Sequence, residues 1–327
     1  MNPQFQDIAL TEPRSAFEPE SVPLPSDEVF AELVGQVPLE NHGAESAAEP
    51  NEAAAFMPGD FLQRYGLREN PFADSVHPAF FFRTDGHAEA FRNMMLAVEF
   101  KTSLGMVTGP SGSGKTLLSQ LLLQHFEEVR CEVILVLVTP GLSKTGLLRE
   151  ILAELGIALP VGISRVQDLV KLISNHIIEL QQQGRRLVII IDECHLLSGD
   201  CLHILRTISN IETPEQKLTT CLLFGESRLL QRLRHPSYES LLNRIYLRGE
   251  LRSLDTVETA QYLKYRLMTA GRLTDLFTGG AFEALYRVSH GIPRSLNKLA
   301  MLCLIEGAVQ NSAMIDENVV AYAAKRM

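Results

Sequence analysis

Gly109-Pro110-Ser111-Gly112-Ser113-Gly114-Lys115-Thr116 is the stretch on which the reading of this chain turns. It fits the pattern G-x-x-x-x-G-K-[ST], in which glycines let the backbone curl until successive N–H groups face one anion. Its flanks suit that task. Leu104-Gly105-Met106-Val107-Thr108 reads as a short buried strand, and Leu117 to Phe126 as an apolar helix whose positive N-terminal end faces the same anion. Gly109, Pro110, Ser111, Gly112, Ser113, Gly114, Lys115, Thr116 and Leu117 are therefore expected to cradle the phosphates of a nucleoside triphosphate. Lys115 would reach the β- and γ-phosphates, and the Thr116 hydroxyl would ligate Mg²⁺.

Strand and helix signals alternate beyond this loop. Glu132 to Val138 and Leu187-Val188-Ile189-Ile190-Ile191 are continuous apolar, β-rich runs, as parallel strands covered on both faces require. Thr219 to Phe224 reads as a further strand, and Ile245 to Leu247 as a short last one. Helices are expected at 86–100, 147–155, 164–183 and 201–211. The fold class is thus α/β, a doubly wound parallel sheet with ligands at the carboxyl ends of its strands. From Thr256 the strand signals vanish, and 257–270, 278–289, 293–310 and 316–325 read as four helices. The expected organisation is a tail over 1–57, an α/β unit over 58–253 that includes an aromatic leading segment, and a small helical lid over 254–327.

The tail explains the charge. The chain of 327 residues has a net charge of −9, and residues 1–57 hold eleven Asp or Glu against one Arg, a balance of −10. The rest therefore carries +1, and overall acidity excludes no nucleic-acid partner. Seven of the sixteen prolines lie in this tail, which has too few large apolar residues to fold alone. Ser26-Asp27-Glu28-Val29-Phe30-Ala31-Glu32-Leu33-Val34-Gly35 departs from the rest, with an N-cap residue, first-turn acids and a glycine stop; it reads as a short helix that docks a partner or the body of the chain.

Hydrophobic content of 46% is that of a soluble globular protein, and no run approaches the ~18 apolar residues of a membrane span. The N-terminus is neither a signal peptide nor a transit sequence. Cys131, Cys194, Cys201, Cys221 and Cys303 are scattered without a C-x-x-C and read as thiols rather than disulfides or zinc ligands. A cytoplasmic location is expected.

Asp192 and Glu193 end the strongest strand, 77 residues after Lys115. Carboxylates there point at the crevice holding the triphosphate. Asp192 would hold Mg²⁺, and Glu193 would orient and deprotonate the attacking water. Glu226 follows the next strand and Gly225, where a polar side chain senses the γ-phosphate; a carboxylate there repels a trianion unless a metal or arginine intervenes. Arg244, before the last strand, is placed to reach a neighbouring subunit's γ-phosphate. Arg232, Arg234 and Arg248 compete for that role. Arg294, in Gly291-Ile292-Pro293-Arg294 at the start of a lid helix, would fold onto the phosphates. Cys194-His195 is not expected to bind zinc, because no second ligand pair stands at suitable spacing; His195 reads instead as a γ-phosphate relay or a packing residue.

The chain resembles AAA+ ATPases, and within them the ExeA/GspA-like branch of general secretion pathway A-like proteins, over roughly residues 60–325. Tyr65-Gly66-Leu67-Arg68-Glu69-Asn70-Pro71-Phe72 with Phe80-Phe81-Phe82, Leu241-Leu242-Asn243-Arg244-Ile245, Tyr262 with Arg266-Leu267 and Ala270-Gly271, and Gly291-Ile292-Pro293-Arg294 with Asn297 carry the likeness. The resemblance implies ATP and Mg²⁺ as cofactors and assembly into a bacterial homo-oligomer. It gives Lys115 and Thr116 Walker A roles and Asp192 and Glu193 Walker B roles. Glu226 becomes the first sensor, Arg244 an arginine finger acting in trans, and Arg294 the second sensor. Cys194-His195 stands where the family has Ala-Gln, and Gly225-Glu226 where it has Gly-Gln, so hydrolysis is expected to be slow or controlled. Longer secretion members add a membrane helix and a cell-wall-binding region, and the chain ends at Met327 with neither.

Two functions are compatible with these residues. One is an ATPase that oligomerises with nucleotide and assembles or remodels a larger bacterial machine, of the secretion or surface-assembly kind, acting on a protein client. The other is an ATP-dependent DNA-binding adaptor like the AAA+ regulators of transposition, several of which share the Asp-Glu-x-His order of residues 192–195. Lys144, Arg165, Arg185 and Arg186 would then contact DNA.

Overall fold

The runs of β-branched residues fix the sheet. The computed structural model describes residues 60–73, 78–128 and 131–327, and the tail with its proposed docking helix at 26–35 lies outside the described residues. Five parallel strands, β1 (Leu104–Thr108), β2 (Cys131–Leu137), β3 (Arg186–Asp192), β4 (Thr219–Gly225) and β5 (Ile245–Glu250), stand in the order β2-β3-β4-β1-β5. Every residue of β1 and β4 is buried, and in β3 only Arg186 is partly exposed. Only strands without alternating polar residues can occupy the middle of a sheet covered on both faces. The doubly wound α/β class read from sequence is the class observed.

Helices precede, cover and follow the sheet: α1 (Asp60–Arg64), α2 (Asp85–Glu99), α3 (Lys115–Glu128), α4 (Lys144–Glu154), α5 (Val166–Gln182), α6 (Gly199–Ile208), α7 (Ser227–Leu233), α8 (Glu239–Leu242), α9 (Thr256–Thr269), α10 (Gly279–Ser289), α11 (Pro293–Val309) and α12 (Glu317–Ala324). Several of their starts are capped by side chains. The side chains of Thr84, Ser143, Ser198 and Thr278 each accept a backbone N–H, and Asp255 with Glu258 forms a full capping box at α9. Successive strand residues face opposite sides. Leu187, Ile189 and Ile191 join the core beneath α4, α5 and α6, while Val188 and Ile190 join Leu118, Leu122 and Phe91 of α3 and α2.

Two differences from the sequence reading have physical causes. Strand β5 runs on to Glu250, because Arg248 and Glu250 face outward from an edge strand and need not be apolar. Gly249 sits against α2, where a Cβ would come within 2.5 Å of Ala90 Cβ. The second difference concerns the leading segment, grouped above with residues 58–253. Its buried Phe61, Tyr65, Leu67, Phe72 and Phe80 belong to the same cluster as Leu263, Leu285, Leu299 and Leu304 of the four helices that follow the sheet. Those helices pack on one another, and the aromatic segment completes their shared core.

Arg266 ties the two together. It is 6% exposed; its guanidinium donates to the carbonyls of Pro71 and Ala73 and to the Tyr262 hydroxyl, and lies 4.9 Å from the Phe80 ring centre. Tyr265 Oη adds a 2.9 Å bond to Ala79 O. Arg266→Ala would strand buried carbonyls and remove a cation–π contact, so unfolding free energy in urea should fall by about 2 kcal/mol or more.

Candidate active site

The loop after β1 is built so that its carbonyls are occupied from outside. Gly112 and Gly114 have φ of +77° and +97°, a region costly for any residue with a Cβ. Lys115, 5% exposed at the start of α3, donates from Nζ to Gly109 O (3.1 Å) and Pro110 O (2.8 Å). His87 of α2 makes a 3.0 Å bond from Nε2 to Ser113 O and a 2.7 Å bond between Nδ1 and Thr84 Oγ1. A carbonyl only accepts, so Nε2 carries the proton and Nδ1 accepts from the threonine hydroxyl. Burial holds both His87 and Lys115 below their usual values. Around Lys115 the carboxylates of Glu193, Asp192 and Glu226 act the other way.

The acids stand at the ends of β3 and β4. Asp192 is 1% exposed; its Oδ1 accepts the Glu193 N–H at 2.8 Å, and its Oδ2 is buried without a protein partner. An orphaned carboxylate oxygen and the Thr116 hydroxyl are hard oxygen donors of the kind Mg²⁺ takes, so the residues present fit that ion. Glu193 adopts a left-handed backbone (φ 54°), which turns the chain into the short 3-10 turn Cys194–Leu196. Its Oε2 lies 3.2 Å from His195 Nδ1. Glu226 Oε1 lies 3.7 Å from His195 Nε2, and its other oxygen pairs with Arg228 Nε at 3.0 Å. The arginine that a carboxylate requires at this position is thus supplied from two residues along the same chain.

The helices after the sheet close the site. Leu254 N donates to Gly291 O (2.9 Å), and the left-handed Gly291 (φ 67°) leaves no room for a Cβ against the Leu254 backbone. That contact sets down Ile292-Pro293-Arg294 beside the loop, where Arg294 N donates to Gly112 O at 3.3 Å. One pocket is lined by Gly112 to Leu117, Glu193, Arg294 and Asn297, with Phe80, Phe81 and Phe82 of the leading segment and His87, Leu254 and Tyr262. Tyr262 Oη donates to Asn297 Oδ1 (2.7 Å), and Phe82 meets the Tyr262 ring edge-on at 5.7 Å.

Not every expected residue joins this pocket. Arg244 follows α8, with its N–H on Leu241 O at 3.0 Å, and is not among the lining residues; its Nη1 is buried without a protein partner. Arg232 is turned inward, donating from Nη1 to His195 O at 3.4 Å, and Arg248 reaches Leu242 O at 3.5 Å. Of the basic residues offered to DNA, Arg186 bonds Lys217 O and Thr220 Oγ1, Arg185 pairs with Glu132, and Lys144 pairs with Asp200. His87 escaped the sequence reading. A single histidine in the first turn of an amphipathic helix, 26 residues before the carbonyl it binds, carries no local signal.

A five-stranded parallel sheet with a glycine-rich loop after β1, acids ending β3 and a helical unit closing over both defines a P-loop protein of the AAA+ class. In keeping with that fold, residues 98–233 match the AAA domain family. It is 32% identical over 267 residues to general secretion pathway protein A of Aeromonas hydrophila, covering 81% of this chain and 48% of that protein. The chain therefore spans about half the length of this relative. Among solved structures, Cdc6p from Pyrobaculum aerophilum superposes with a TM-score of 0.63 at 12% identity, over 78% of this chain and 70% of that one. Aeropyrum pernix ORC2 gives 0.57 at 16%, over 78% and 71%. At such identities the likeness is one of fold.

Gly112 is where loop and lid meet, since a Cβ there would come 2.5 Å from Arg294 Cβ. Gly112→Ala should lift the start of α11 off the loop. Hydrogen exchange at the Arg294 amide should accelerate at least about tenfold, with a stability loss of about 1–3 kcal/mol.

Proposed function

We propose that this chain binds ATP with Mg²⁺ in the pocket above and hydrolyses it at a site completed by a neighbouring copy. The observation that carries this reading is the convergence of Lys115, Thr116, Glu193 and Arg294 on one pocket that also has an aromatic wall. Backbone N–H groups of 112–116 and the Lys115 ammonium receive the phosphates, Thr116 and Asp192 hold the ion, and the ion neutralises phosphate charge when bound. Glu193 takes the proton of the attacking water. Phe80 to Phe82 and Tyr262 cover the base. Arg294 reports the bound phosphates to the lid, and Glu226, held by Arg228, stands beside them.

Arg244 is compatible with the shared site, because it follows α8 and lies off its own pocket; in this reading it serves the adjacent subunit of an oligomer. The likeness to a general secretion pathway protein favours a bacterial secretion or surface-assembly machine as the system that turnover assembles or remodels, with the acidic tail docking a partner on the cytoplasmic side. For the DNA-adaptor reading, Arg186 is turned inside the chain onto Thr220, while Lys144 and Arg185 stay on the surface in exposed ion pairs. Among the described residues no helix is long and apolar enough to cross a membrane.

Lys115→Ala should abolish binding of a fluorescent ATP analogue; retained affinity would overturn the site. Glu193→Gln should keep binding while turnover drops about 10²–10⁴-fold, accumulating an ATP-bound oligomer visible by sedimentation. Arg244→Ala should lower turnover about 10³-fold yet regain activity when mixed with Glu193→Gln subunits, whose arginines remain; no recovery would place the arginine elsewhere. Duplex binding titrated with salt, with ATP, ADP and no nucleotide, should show no tight ATP-dependent complex. A steep salt slope in the ATP state alone would return the function to DNA.

A further inference from the structure

Arg266 also fixes which way a pocket residue faces. Its guanidinium nitrogens only donate, and Nη1 gives an N–H to Tyr262 Oη at 3.0 Å. The phenol is 5% exposed and burial holds it above its usual value, so it keeps its own proton and must place it elsewhere. Asn297 receives it at 2.7 Å. An atom that receives a proton is an acceptor, so the amide turns Oδ1 toward Tyr262 and Nδ2 away from it.

Among the described residues Asn297 Nδ2 meets no hydrogen-bond acceptor, and it is not one of the buried polar atoms left without a partner. Asn297 is half-buried and lines the pocket. The two N–H groups of the amide are therefore available to a molecule there, while its acceptor is taken. Such a side chain recognises a lone pair and has nothing to offer an amino group.

The helix sets which part of the ligand it meets. Arg294 and Asn297 stand three residues apart on one face of α11, about 4.5 Å along its axis. Arg294 is tied to the phosphate loop through Gly112 O, whereas Asn297 is tied to Tyr262, whose ring meets Phe82 in the aromatic wall. One helical face thus runs from the phosphate end of the pocket to its aromatic end. Phosphate oxygens belong to the first, and the base with its sugar to the second.

We propose that Asn297 is a binding residue for the nucleoside, donating from Nδ2 to an acceptor atom on the base or the ribose, with its orientation set by Arg266 through Tyr262. Arg266 also holds the Pro71 and Ala73 carbonyls, so the leading segment fixes how the pocket reads its nucleoside. The proposal rests on the reading of this pocket as a nucleotide site and adds a contact that tells nucleoside from phosphate.

The test is calorimetric binding of ADP with Mg²⁺ to the full chain, for wild type, Asn297→Ala, Tyr262→Phe and the double variant; ADP is not turned over during the titration. Asn297→Ala should weaken ADP about tenfold, the loss of roughly one hydrogen bond. Tyr262→Phe keeps the ring of the wall but lets the amide turn. It should weaken ADP about threefold in the wild-type background and not at all in Asn297→Ala. The same titrations with 1-deaza-, 3-deaza-, 7-deaza- and 2′-deoxy-ADP name the accepted atom. The analogue that lacks it should bind wild type about tenfold more weakly than ADP and bind Asn297→Ala no worse than wild type. Unchanged ADP affinity in Asn297→Ala, a Tyr262→Phe loss that persists in Asn297→Ala, or an Asn297→Ala loss shared by all four analogues would overturn the proposal; a loosened helix alone gives the last result. Lys115→Ala separates the two levels of inference. If it binds ADP as wild type does, the site itself falls, whereas loss there with an unaffected Asn297→Ala removes only the nucleoside contact.

Discussion

A loop that turns several N–H groups toward one point repels itself, and it keeps that shape only if its remaining groups are tied outward. In this chain the ties come from four directions. Lys115 bonds the Gly109 and Pro110 carbonyls, His87 the Ser113 carbonyl, and the Arg294 N–H the Gly112 carbonyl, while Gly109 N reaches Gly225 O at 3.3 Å. Each tie belongs to a different element: the loop's own helix, the helix before β1, the lid and the end of β4. The loop's conformation is thus a product of the whole fold, and the fold places every neighbour of the site by meeting the loop's demands.

Most of the sheet could be read directly, because buried parallel strands leave little room for charged residues. Leu187 to Ile191 and Thr219 to Phe224 show that constraint in their composition. The loop and the acids at 192 and 193 were legible for a similar reason: their chemistry depends on residue type at short spacing. What could not be read depends on long-range placement. His87 binds a carbonyl in another element, and Arg186, apparently a surface base, bonds Thr220 inside the sheet. Glu226 looked like an uncompensated charge, since no rule of spacing says that Arg228 folds back onto it.

The likeness to known proteins divides along the same line. The AAA domain match covers 98–233, the part dominated by strands and loop. Outside it lie the leading segment, the helices after the sheet and the lid arginine, whose side chains form the aromatic wall and closing edge of the pocket. The likeness to general secretion pathway protein A spans 267 residues and so reaches past the sheet into these covering parts.

Arg266 has a consequence for how the molecule is made. It joins residues 195 apart to Pro71, and Tyr65 reaches Ser312 across 247 positions. The aromatic side chains near the start of the described chain have no apolar core to enter until the last helices leave the ribosome, whereas the sheet between them can pair earlier. Synthesis from the N-terminus thus leaves Phe61, Phe72 and Phe80 exposed through most of translation, the interval when a chaperone has the most to hide. The pocket, which needs Phe80 and Arg294 together, is completed only after the helices that follow the sheet have been made.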